Sequence, residues 1–322
     1  MVRERYHATV RLGEPRRYCF RVRVLVTGGG GLLARYLVAQ IGADLEWVLT
    51  SRSEVQGDAN VHLLDLTDTL ALHRMLDAVR PEAIVNSAAE GSVDAVQVRP
   101  DDFYVLNVEV PKVLAQYCRD HAIPLVHVSS NAVFGSSPAP YDDDSPYGPV
   151  NAYGVLKCQA EEGVRQIYPE ASILRPIQMY GWPRSKRRAN LASAWISQLR
   201  RNESIQVVND VISEPLWAAD TADAIRRLIG EPVRGPINIS GGEPTTLFEF
   251  ARLVALQFGL NDTLITPVPS DSFASLAPRP SDTRFTLRRL RDEVGIDPLP
   301  VGLGLTEMRL EEVRDSVRGP SV

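Results

Sequence analysis

The sequence predicts an α/β fold: a doubly wound parallel sheet with a smaller C-terminal domain. Three observations point there. Apolar strands and amphipathic helices alternate from Val22 to about Leu174, a glycine-rich turn joins the first strand to the first helix, and prolines and loops become frequent after Leu174.

Taken in order, "VRVLVTG" from Val22 reads as a buried strand, "LLARYLVAQIG" as a helix closed by Gly42, and "LEWVLTS" as a second strand. "VHLLDLTD" reads as a third strand, "LALHRMLDAVRP" as a helix stopped by proline, and "AIVNSAA" as a fourth strand. One helix over "DFYVLNVEVPKVLAQYCRDHAI" and a fifth strand, "PLVHVSS", follow. Such alternation builds a parallel sheet covered on both faces. The expected division is residues 1–21 as a poorly ordered extension, 22–174 as a dinucleotide-binding domain and 175–322 as mainly a second domain, with "PINISGG" returning to the sheet edge.

Composition narrows the class. Hydrophobic residues make up 44% and charged residues 23%, with a formal net charge of −5, so no basic field points to nucleic acid. The first 23 residues carry seven arginines against two acids, which reads either as a basic arm for a partner or as a disordered extension. Three cysteines, Cys19, Cys118 and Cys158, lack the spacing of a disulfide framework or a metal site. No apolar run approaches the roughly 18 residues of a membrane span, and no membrane partner or metal is expected. A cytoplasmic protein fits these readings.

Gly28, Gly29, Gly30 and Gly31 stand between a strand and a helix. There the backbone can approach a pyrophosphate, and the helix N-terminus offers unpaired N–H groups. Ala34 takes the place of the third glycine of the usual pattern, where a small residue serves helix-to-strand packing. The next strand ends in Ser51, Arg52 and Ser53 and carries no acid for a ribose 2′-hydroxyl; these residues suit a 2′-phosphate. NADPH is therefore expected as cofactor, with NADH as the alternative.

Tyr153 and Lys157 are four apart at the head of an expected helix and share one face. An ammonium there would lower the pKa of the phenol and let it act as an acid near neutral pH. The chain has ten tyrosines but only three lysines among 35 basic residues, so the pairing is uncommon by chance. Ser130 closes the fifth strand, at the sheet edge where ligands of doubly wound folds bind, and could bond a substrate carbonyl or serve as a cap. Ser129 is its competitor, and the spacing to "VFG" favours Ser130.

These residues resemble the extended short-chain dehydrogenase/reductase family, a Rossmann fold: "TGGGGLLA", "NSAA", "SSNAVFG" and "YGVLK" occur in its order. Within it the chain is most similar to dTDP-4-dehydrorhamnose reductases and related nucleotide-sugar 4-ketoreductases, from about Val22 to near the C-terminus. The resemblance implies hydride delivery from NADPH to a ketone on a nucleotide-linked deoxysugar. Tyr153 would protonate the developing alkoxide, Lys157 hold the nicotinamide ribose, Ser130 orient the carbonyl, and Asn107 support a proton relay through water. It also implies cofactor contacts from Gly28, Gly30, Gly31, Leu32 and Leu33 and from Asp65, Leu66, Ser87, Ala88 and Ala89. Substrate contacts are implied at Glu90, Asn131, Asn190 and Arg279, the last gripping a diphosphate or pairing with an acid such as Asp282. A homodimer through helices beside the active site is a further implication.

The chain departs from that pattern at two places near the expected sugar pocket. "ILRPIQMYG" lacks a tryptophan common there, and Glu90 replaces an aromatic residue. Two alternatives remain open from sequence: a 4-epimerase that keeps NAD bound, and a non-catalytic NADP-binding subunit resembling methionine adenosyltransferase β.

Overall fold

The computed structural model describes residues 21–39, 44–55, 60–184, 189–273 and 277–318. Residues 1–20, Cys19 among them, lie outside the described residues, as do Gly42 and Lys186.

Seven parallel strands form the central sheet: β1 (Val22–Thr27), β2 (Leu45–Ser51), β3 (Val61–Leu63), β4 (Ala83–Asn86), β5 (Leu125–Val128), β6 (Ser172–Pro176) and β7 (Gly235–Ile239). Their spatial order is β7-β6-β5-β4-β1-β2-β3. The order reverses between β1 and β4, and the crevice at the carboxyl ends of these two strands is where such sheets bind ligands. Both faces are covered. Leu25, Ile84 and Ile173 pack against α2 (Thr69–Val79), α5 (Val110–His121) and α6 (Ala152–Ile167), which contribute Leu76, Leu114 and Val164. On the opposite face Val24, Val26, Val85 and Val126 meet α1 (Leu32–Ala39) and Leu228 of the helix Ala218–Gly230. A second core gathers Trp195, Phe250, Val254, Leu305 and Met308 from the helices Leu191–Arg200, Leu247–Phe258 and Val301–Arg318.

Two elements differ from the sequence expectation for local reasons. The third strand stops at Leu63, because the Asp65 carboxylate draws in the N–H and hydroxyl of Thr67 and Asp68 then caps α2 through the Ala71 N–H. The single helix expected over 102–123 is helical throughout but not regular. After the separate α3 (Val93–Val98), α4 (Pro100–Tyr104) widens into a π-type turn over Val105–Glu109 and continues as α5 from Val110, with right-handed helical angles at both junctions. Pro111 has no N–H to offer the carbonyl one turn back, that of Asn107, so regular helical bonding cannot run through this stretch.

Candidate active site

The glycine turn is built for close backbone approach. Gly28 has φ +78°, and a Cβ there would stand 3.1 Å from the backbone of Ser87 and Ala88. A Cβ on Gly29 would fall 2.8 Å from that of Leu49, so the loop lies against β2 only as glycine. Beside it runs a groove of about 510 Å³. It is lined by Gly28, Gly30 and Gly31, by Ser51, Arg52 and Ser53, by Asp65 and Leu66, and by Ser87, Ala88, Ala89 and Glu90. Four separate strand ends thus converge on one concavity next to a helix N-terminus, an arrangement suited to an extended dinucleotide.

Leu32 and Leu33 do not line it with their side chains. Leu33 is buried in the core and Leu32 packs against that core. The Asp65 carboxyl is held below its usual range by the Thr67 hydroxyl and N–H, with a smaller contribution from Arg52. The Ser51 hydroxyl donates to the Ser53 carbonyl, bracing the loop that carries the exposed Arg52. Sequence reasoning missed Glu54, one residue beyond this loop, which lines the same groove.

α6 starts at Ala152 because the Asn151 side chain caps the N–H of Gly154. That start places Tyr153 and Lys157 on one face, with the ammonium 5.8 Å from the ring centroid. Ser130 stands close enough to Tyr153 to act on its pKa and also caps the short turn Asn131–Val133 through the Ala132 N–H. Ser129 points the other way: it is buried and donates to Glu161. The strand's alternation therefore sends one serine to the interior and one to the site.

Burial raises the Tyr153 phenol to about 12, the Ser130 hydrogen bond opposes that rise, and the Glu90 carboxylate adds to it. The expected depression by Lys157 is not found. The ammonium donates to the Val128 carbonyl at 3.2 Å and sits 5.8 Å from the ring centroid, and burial is the largest influence on the phenol. A phenol at this pKa is fully protonated at pH 7, the form a proton donor needs. Burial pulls Lys157 down to about 8 against the opposing charge of Glu161.

The remaining candidates divide by what their side chains do. Asn107 is buried and clasps Glu90, accepting from its N–H at 2.9 Å and donating to its carbonyl at 3.2 Å. Glu90 accepts from the Ser92 N–H and stands close enough to Tyr153 to raise its pKa. Asn131 accepts from Ser130 at 3.3 Å. Asn190 caps the helix Leu191–Arg200 in a reciprocal arrangement with Ser193 and donates to the Gly181 carbonyl at 2.7 Å. Arg279 pairs with Asp94 of α3 at 2.9 Å, whereas Asp282, the acid named as an alternative to the diphosphate, pairs with Arg284.

Residues 22–313 match the RmlD substrate binding domain family. The chain belongs to that family. It is 31% identical over 279 residues to a dTDP-4-keto-6-deoxy-D-glucose reductase of Streptomyces niveus, covering 86% of this chain and 92% of that relative. A dTDP-4-dehydrorhamnose reductase of Mycolicibacterium smegmatis is 28% identical, over 86% of this chain and 81% of its own length. Among solved structures, a dTDP-4-dehydrorhamnose reductase of Bacillus anthracis in complex with NADP superposes with a TM-score of 0.82 at 26% identity, covering 91% of this chain and all of that one. A UDP-glucose 4-epimerase of Thermotoga maritima, 18% identical with a TM-score of 0.79 over 92% of this chain and 99% of that one, shares the fold. Membership makes the protein an oxidoreductase that works with a nicotinamide cofactor. No helix among the described residues is long and apolar enough to cross a membrane.

Proposed function

We propose that the protein reduces the 4-keto group of a nucleotide-linked 4-keto-6-deoxyhexose, with dTDP as the nucleotide and NADPH as the cofactor. The observation that carries this reading is the convergence of a protonated Tyr153, flanked by Ser130 and backed by Lys157, with Glu90 at the end of a dinucleotide groove. The names of the relatives, reductases of such dTDP sugars, support the substrate class.

Gly28, Gly30 and Gly31 would hold the pyrophosphate, Arg52 with Ser53 the 2′-phosphate, and Asp65 with Leu66 the adenine side. The reduced nicotinamide supplies the hydride. Ser130 orients the ketone, Tyr153 delivers its proton to the oxygen as negative charge develops there, and Lys157 places a positive charge and ribose contacts beneath. Asn107, clasping Glu90 at the π-type turn, positions the chain where proton resupply is needed. Arg279 exchanges Asp94 for the substrate diphosphate, a bidentate partner of higher charge.

The test is NADPH oxidation with dTDP-4-keto-6-deoxyglucose, with and without a 3,5-epimerase, and NADH in parallel. Rapid oxidation with preference for NADPH supports the reading, and epimerase dependence assigns the L-sugar branch. A protein that binds NADPH yet oxidises none with either keto sugar contradicts it.

A further inference from the structure

Beneath the groove, Thr27, Asn86 and His127 lie side by side on β1, β4 and β5, register partners at the carboxyl ends of three neighbouring strands. All three are buried to within 1% of complete. Their hydrogen bonds have only one consistent direction. The Thr27 hydroxyl oxygen accepts from the N–H groups of Ser87 and Ala88, both at 3.1 Å, so its own proton must go elsewhere. It goes to the Asn86 Oδ1, 2.7 Å away. That fixes the amide orientation and presents the Asn86 NH₂ to His127 Nδ1 at 3.1 Å. Nδ1 is then an acceptor, and the ring proton sits on Nε2.

We propose that Thr27 and Asn86 act as positioning residues for His127: the directed chain locks the imidazole as the neutral Nε2–H tautomer next to Lys157. A proton on Nδ1 would set two donors against each other and is excluded. The positive charge therefore stays on Lys157, and no second cation competes with it from behind.

The surroundings agree. Burial, and then the charge of Lys157, push the imidazole well below its ordinary pKa. The charged group that acts on His127 is Lys157 of α6, whose own charge is opposed by Glu161 one turn on. α5 meets this face of the sheet with apolar residues such as Val110 and Leu114. Among the described residues His127 Nε2 has no hydrogen-bond partner. That costs stability, which a leucine among these neighbours would avoid, and so packing alone does not account for a histidine here.

Nitrogen-15 NMR of the full chain with labelled histidine tests this without reference to turnover. The signal lost in His127→Gln should show the neutral Nε2–H pattern and stay unchanged between pH 6 and pH 9. Asn86→Asp, which puts an anionic acceptor at Nδ1, should convert it to an Nδ1-protonated form. A His127 that titrates near 6.5, or carries its proton on Nδ1 in the unaltered protein, overturns the proposal. If the tautomer stands but no keto sugar is reduced, the substrate assignment fails and the lock does not.

Discussion

α6 takes part in burying two cations, and it treats them in opposite ways. Arg175, 2% exposed, is gripped by Glu161 through Nε and Nη2, donates through Nη1 to the Asp143 carbonyl, and lies against the rings of Phe134 and Tyr147. Glu161 is satisfied further by Ser129 and Tyr147. Lys157, one turn earlier and equally buried, has the Val128 carbonyl and no ion pair among the described residues. A fully paired buried charge fixes how β6 docks on α6. An under-satisfied one keeps its capacity for a ligand at the cost of stability, which is what a functional site requires.

The largest effect expected at the under-satisfied end is from Tyr153→Phe. Removing the proton donor should lower kcat by about 10²–10⁴-fold while the melting temperature stays unchanged, because the lost hydroxyl serves chemistry. Steady-state kinetics beside thermal melting checks both halves, and retained turnover would remove Tyr153 from the mechanism. At the paired end, Arg175→Met should destabilise by about 3–5 kcal/mol, since it strands the Glu161 carboxylate without its cation. The urea midpoint measures this, and a near-neutral change would mean that the pair is not holding the fold. Asn190→Ala should cost only about 1 kcal/mol, the value of a helix cap. A KM for the nucleotide sugar that rises without any loss of stability would instead give Asn190 to the substrate.

The sequence made the cofactor end legible because it is written in backbone rules. Four glycines between a strand and a helix, and the strand ends that follow, can converge only at the carboxyl edge of a parallel sheet. Tyr153 and Lys157 were legible through helical spacing. Ser130 was separable from Ser129 by its spacing to "VFG", and the structure turns Ser129 inward to Glu161. What stayed hidden depends on partners far apart in the chain. Asp94 meets Arg279 from 185 positions away, Glu161 meets Arg175 across an element boundary, and His127 reads as one more polar residue until β4 sets Asn86 beside it. The widening at the π-type turn had a local signal in Pro111, outweighed by the strong apolar periodicity around it. The sign of the Tyr153 shift was not legible at all, since burial decides it and burial is a property of the assembled site.

The contrast between the two cations is tested most directly by Lys157→Met, followed as stability against pH together with kcat. Burial lowers the Lys157 pKa from about 10.5 to about 8 in the folded protein, so the unfolded chain binds more protons between these values. Its contribution to stability therefore rises with pH across that window, by on the order of 3 kcal/mol. The variant should lose this rise, be at least as stable as the parent at pH 7, and lose most of its turnover. A variant that is less stable at pH 7 but still turns over would show that Lys157 belongs to the fold, as Arg175 does, and would contradict the account.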